Sequence, residues 1–126
     1  YGGMKIEGPP SVPKKGLKVL KHHLTQDLGI PEEEFFLEEG SGLSRKNRMT
    51  PEAIWKVLIH YQPYQSTLSL QNEVSLKTGT LNGIYTLAGY LPGEENIIFV
   101  IMLNQRSNHR DTVLGHLLNH HRKLGF

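Results

Sequence analysis

The chain has 126 residues and a mass of 14.3 kDa, so it is expected to be one domain or part of one, long enough to bury a core. Its 14 Lys and Arg are interspersed with 12 Asp and Glu, and this near balance argues against a nucleic-acid partner. Cysteine is absent, which excludes disulfide scaffolds, thiolate metal sites and cysteine nucleophiles.

Residues 1–16 hold Gly2, Gly3, Gly8, Pro9, Pro10, Pro13 and Gly16, so an irregular lead-in is expected there, 1–14 at least. That stretch has neither the basic region nor the apolar core of an export signal. Leu17, Leu20, Leu24 and Leu28 recur every three or four residues, which predicts an amphipathic helix over 15–28 closed by Gly29. Pro31 and three glutamates form a link to Phe35-Phe36-Leu37, expected to be a short buried segment or strand. A polar loop rich in Gly and Ser follows. Thr50-Pro51 then supplies an N-cap and first-turn pair for a helix whose apolar face is Ile54, Trp55, Leu58 and Tyr61, stopping before Pro63.

Residues 62–73 are polar and expected to be irregular. Segments 74–80, 83–91 and 96–104 come next, joined by Asn82-Gly83 and by Pro92-Gly93-Glu94-Glu95. Links this short require antiparallel neighbours, so a three-stranded meander is predicted. Val74 and Leu76 should face one way, Ser75 and Lys77 the other. The run 97–103 is apolar on both faces, which predicts a strand inside the sheet, and it is far too short to cross a membrane. Val113, Leu114, Leu117 and Leu118 predict a last helix that covers one face of the meander.

The chemistry concentrates in two stretches. Lys77-Thr78-Gly79-Thr80 places a cation and two hydroxyls where a strand nears its turn, and Gly79 leaves room for a ligand or another backbone, an arrangement suited to an anion. The loop from Glu39 to Pro51 offers Ser41, Ser44 and Asn47 between two ordered elements. His116 and His120 stand four apart on a helix, as zinc ligands can, but no third ligand has suitable spacing, so neither a metal nor another cofactor is expected.

Together these stretches resemble two boxes of the penicillin-binding and serine β-lactamase superfamily. Gly40-Ser41-Gly42-Leu43-Ser44-Arg45-Lys46-Asn47-Arg48 is similar to its Asp-Gly-Ser-Gly-Leu-Ser-Arg-x-Asn box. Lys77-Thr78-Gly79-Thr80-Leu81-x-Gly83-Ile84, with Leu87-Ala88-Gly89-Tyr90 after it, is similar to its Lys-Thr-Gly strand and the next strand. Over roughly residues 15–105 the chain resembles the C-terminal part of a D-alanyl-D-alanine carboxypeptidase or endopeptidase of the class C low-molecular-mass penicillin-binding type.

The resemblance implies that superfamily's α/β (α+β) fold, here a partial domain spanning 1–126: the antiparallel meander, a C-terminal helix and two N-terminal helices. It implies acyl transfer in which Ser44 relays a proton, Asn47 binds the substrate amide and Lys77 supplies positive potential. Thr78 and Thr80 would bind the substrate carboxylate, the Thr80 amide would complete an oxyanion hole, and Gly79 would let substrate lie along the strand. Ser41, the other serine of the box, would be a further substrate-binding residue. The implied partners are a peptidoglycan stem peptide, β-lactams and the remaining N-terminal portion of a parent protein, in the periplasm or cell envelope.

The chain departs from the pattern in several places. Glu39 stands where the box has Asp, two residues rather than one separate Ser44 from Asn47, and the interval from Asn47 to Lys77 is short for the family. The required nucleophile box, Ser-x-x-Lys opening a helix, has only Ser11-Val12-Pro13-Lys14 as a match in letters, in a proline-rich stretch expected to be irregular. The nucleophile is therefore expected elsewhere in the parent, with this chain inactive alone. The alternative is a non-catalytic module that binds muropeptides or a protein.

Overall fold

The structure is a computed structural model and describes residues 13–39, 43–93 and 97–124. It divides into two compact units, up to Val57 and from Leu58 onward.

The first unit begins with helix α1, Pro13–His22, which opens on a proline whose fixed φ suits a first turn. The expectation of irregular chain is thus corrected for 13–16, while Ser11 lies outside the described residues. The helix predicted over 15–28 changes register at His23–Asp27, one wider π-type turn in which the Leu28 amide reaches the His23 carbonyl at 3.1 Å. Gly29 has φ +68°, the left-handed conformation expected of a residue that ends a helix. Leu24, Ile30 and Ala53 form this unit's buried core, with Leu20, Leu28, Phe35, Leu37, Met49 and Val57 against it. A 3₁₀ turn, Glu32–Glu34, leads to strand β1, Phe35–Phe36, which pairs antiparallel with β2, Arg48–Met49. This ribbon closes the base of the serine loop.

Helix α2, Pro51–Tyr61, starts as predicted: the Thr50 hydroxyl accepts the Ala53 amide at 3.1 Å and Pro51 occupies the first turn. Its apolar stripe is corrected. Ala53 and Leu58 are buried, whereas Trp55 is 47% exposed, because two residues along a helix turn the side chain by about 200°, so burying Ala53 points Trp55 outward.

The second unit corrects the reading of 62–73 as irregular. A 3₁₀ turn, Gln62–Thr67, precedes strand β3, Ser69–Gln71, which forms a hairpin with β4, Val74–Leu81. Asn72 and Glu73 make that turn with φ +49° and +70°, the left-handed pair of the tightest hairpins. Strands β5, Ile84–Tyr90, and β6, Ile98–Asn104, complete a four-stranded antiparallel sheet in the order β3-β4-β5-β6. The predicted meander is present with a fourth strand before it. One expectation fails: the doubly apolar β6 lies at the end of the sheet order, not inside it.

Helix α3, Arg110–Lys123, covers one face of this sheet. Leu114 and Leu118 pack with Val74, Leu76, Leu87, Phe99 and Ile101, which share a face because strand side chains alternate. His121 is buried, 4% exposed, with Nε2 2.6 Å from the Pro92 carbonyl oxygen, so Nε2 carries the hydrogen. Tyr90, also buried, donates its hydroxyl hydrogen to the Leu58 carbonyl. Burial holds the Tyr90 phenol above the ordinary tyrosine range, and nearby Tyr61 adds to the shift.

Candidate substrate strand and serine loop

The lysine-threonine strand is built by alternation. Val74 and Leu76 are 0% and 1% exposed and anchor β4 in the core, so Thr78 and Thr80 continue on the core face while Ser75 and Lys77 lie on the other. The pairing of β3 with β4 runs only from Gln71↔Val74 to Ser69↔Leu76. From Lys77 onward, among the described residues, no strand lines that edge of β4. Backbone groups on such an edge can accept an added chain.

Lys77 is exposed and donates through Nζ to the Thr78 carbonyl at 2.9 Å. Gly79 gives room to its neighbour within the sheet: a Cβ there would stand 2.4 Å from Thr86 Oγ1, which would have to turn aside. The Thr86 hydroxyl donates to the Gly79 carbonyl at 3.3 Å. A residue that the motifs did not mark completes this group. Arg110 Nη1 donates to the Gly79 carbonyl at 3.0 Å and to Thr80 Oγ1 at 2.7 Å. Its sequence signal is an arginine in the first turn of a helix, where the macrodipole favours acids.

In the first unit, the serine loop is held by Asn47. Its side-chain oxygen accepts the amides of Glu38 at 2.8 Å and Glu39 at 3.4 Å, and its Nδ2 donates to the Glu39 carbonyl at 3.1 Å and to Glu39 Oε1 at 3.0 Å. Four hydrogen bonds exhaust the capacity of an asparagine side chain. The Ser44 hydroxyl donates to Glu38 Oε2 at 3.1 Å and accepts the Lys46 amide at 3.1 Å, while the Ser44 amide donates to Glu39 Oε1 at 2.8 Å. Glu39 therefore serves as the loop's internal acceptor, which explains why an acid stands at that place. Ser41 lies outside the described residues.

The geometry thus defines two local groups. One is a cationic, hydroxyl-bearing strand suited to carboxylate chemistry; the other is a tightly bonded polar loop. Two overlapping parts of the chain, residues 3–72 and 64–116, match the model of the D-Ala-D-Ala carboxypeptidase 3 (S13) family. The match spans most of the chain, and the chain belongs to that family. No curated protein gives a match to it.

Proposed function

We propose that the chain is the substrate-receiving part of a serine D-Ala-D-Ala carboxypeptidase or endopeptidase, acting on peptidoglycan stem peptides in the periplasm or cell envelope and binding penicillins. The observation that carries this reading is the edge of β4 from Lys77, unpaired among the described residues and bearing Thr78 and Thr80, in a chain of this family. A peptide ending in D-alanine would lie along that edge as an added strand. The Thr78 and Thr80 hydroxyls would hold its carboxylate, Lys77 would add positive potential, and the Thr80 amide would stabilise the developing oxyanion. Gly79 keeps the strand free of a side chain between those two threonines.

The attacking serine is assigned to an N-terminal portion of the parent protein that completes a penicillin-binding fold, of which residues 1–126 are the C-terminal segment. The apolar strand β6 at the sheet's end supports this, because a strand with apolar residues on both faces is the kind found inside a sheet, with further strands beside it and a layer packed on each face. The two family matches overlap at residues 64–72, inside the interval between Asn47 and Lys77 that is short for the family. In the complete enzyme Ser44 would relay a proton to the leaving amine. The four bonds of Asn47 favour holding the loop over binding the substrate amide, and Ser41 remains the loop's other candidate contact.

The saturation of Asn47, with the Ser44 hydroxyl hydrogen already given to Glu38, favours a second reading, a module that binds muropeptides or a protein without catalysing anything. Labelling with a fluorescent penicillin tests the proposal. The isolated chain should not be acylated, and the chain joined to the N-terminal portion of its parent should be. Acylation of the isolated chain would overturn the assignment of the nucleophile and point to Ser11, Ser41 or Ser44; no acylation of the joined protein would favour the second reading.

A further inference from the structure

We infer that Arg110 is a positioning residue that sets the Thr80 hydroxyl to receive a carboxylate; this rests on the proposed reading of β4. Arg110 Nη1 lies 2.7 Å from Thr80 Oγ1, and an arginine nitrogen can only donate. Thr80 Oγ1 is therefore the acceptor in that bond, and its own hydrogen is left for another partner. The bond is charge-assisted, which holds the threonine in one rotamer and polarises its O–H. The second bond, from Nη1 to the Gly79 carbonyl at 3.0 Å, ties the same guanidinium to the backbone beside Thr80. A planar guanidinium anchored at two points keeps its charge in a defined place.

A purely structural role explains this poorly. Arg110 Nε is buried and has no hydrogen-bond partner, an arrangement that costs stability. The arginine also sits in the first turn of α3, against the helix dipole. Two unfavourable placements converge on one hydroxyl of the lysine-threonine strand. With Lys77 on the opposite face, the two cations flank the strand from its two sides, so an anion at the Thr78-Thr80 edge meets positive charge from both.

The experiment is an amide-resolved NMR titration of the chain with N-acetyl-D-alanyl-D-alanine and with its C-terminal amide. In the parent chain the signals of Lys77 to Leu81 should move, and the acid should bind roughly tenfold more tightly than the amide, the scale of one charge-assisted hydrogen bond. Arg110→Gln should remove that preference by weakening the acid alone, and Arg110→Lys should restore part of it. Thr80→Val should lose the same preference with Arg110 in place, which decides the matter even if Arg110→Gln fails to fold. An unchanged preference in Arg110→Gln, or in Thr80→Val and Arg110→Lys together, would overturn the inference. Absence of any acid preference in the parent chain would instead overturn the carboxylate seat itself, and this inference with it.

Discussion

Gly89 is where β5 and β4 approach too closely for any side chain. It lies in β5 between two partners, opposite Leu76 of β4 and Phe99 of β6. A Cβ at this position would stand 1.9 Å from the Ser75 carbonyl oxygen, 2.8 Å from Leu76 Cα and 2.9 Å from the Ser75 carbonyl carbon. The first contact is about 1 Å inside the 3.0 Å below which such contacts essentially never occur, and all three atoms are backbone. No rotamer can relieve it. The strands must part where β4 is anchored, which costs on the order of two ladder hydrogen bonds at about 1 kcal/mol each plus overpacking of about 1–3 kcal/mol. Gly89→Ala should therefore destabilise the second unit by about 3–5 kcal/mol, a large share of the ~5–15 kcal/mol that holds a typical domain. With a urea m-value of roughly 1–3 kcal/mol per M, the midpoint should fall by more than about 1 M. Because the chain has two compact units, the transition should be followed on backbone amides of β4 and β5. Two other glycines act as controls. A Cβ at Gly79 meets only the end of the Thr86 side chain, which can turn aside by giving up its bond to the Gly79 carbonyl, at a cost of about 1 kcal/mol. At Gly115, in α3, nothing lies within 4 Å, so alanine there should stabilise by about 0.5–1 kcal/mol. A Gly89→Ala midpoint equal to the parent's, or a Gly79→Ala loss as large as that of Gly89→Ala, would refute the reasoning.

Asn47→Ala should loosen the serine loop by about 1–3 kcal/mol, since it leaves the Glu38 and Glu39 amides without their acceptor; faster hydrogen exchange at those two amides is the measurement. Thr50→Ala should cost about 1 kcal/mol through loss of the α2 cap, read from the exchange of the Ala53 amide. For Tyr90, the folded phenol keeps its proton to higher pH than the unfolded one, so its contribution is fully present below the ordinary value of about 10 and declines as pH rises from there toward the folded value. Tyr90→Phe should lose about 1 kcal/mol at neutral pH with the bond to the Leu58 carbonyl, and should show a shallower alkaline decline than the parent between about pH 9 and 11. An equally steep decline in both proteins would exclude Tyr90 as its source.

Much of this fold is legible from spacing alone. Val74 and Leu76 alternate with Ser75 and Lys77, and they are the buried pair that anchors β4. Thr50-Pro51 announces the start of α2, and Leu114 and Leu118 lie one turn apart on the face that packs on the sheet. The β3–β4 hairpin escapes notice because its turn is Asn72-Glu73, and a glutamate at positive φ is not a turn signal. The exposure of Trp55 has a similar origin: periodicity marks an apolar stripe but not which of its members meets the neighbouring element.

The candidate site divides along the same line. The Lys-Thr-Gly and Gly-Ser-Gly-Leu-Ser runs are contiguous, so the resemblance they carry can be read directly from the residues, and the family match agrees with that resemblance. The saturation of Asn47 by Glu38 and Glu39 depends on how an eight- to nine-residue loop closes, which the β1–β2 ribbon decides. Arg110 stands 31 residues from Gly79 and has no motif of its own. The amino-acid sequence by itself determined the elements and the motif residues, because both are set by short-range periodicity and by contiguous side-chain chemistry. Only the tertiary structure decided that β6 ends the sheet, that His121 is a core residue, and that a distant guanidinium holds Thr80. Those outcomes depend on which remote surfaces pack together, and local propensity carries no record of that.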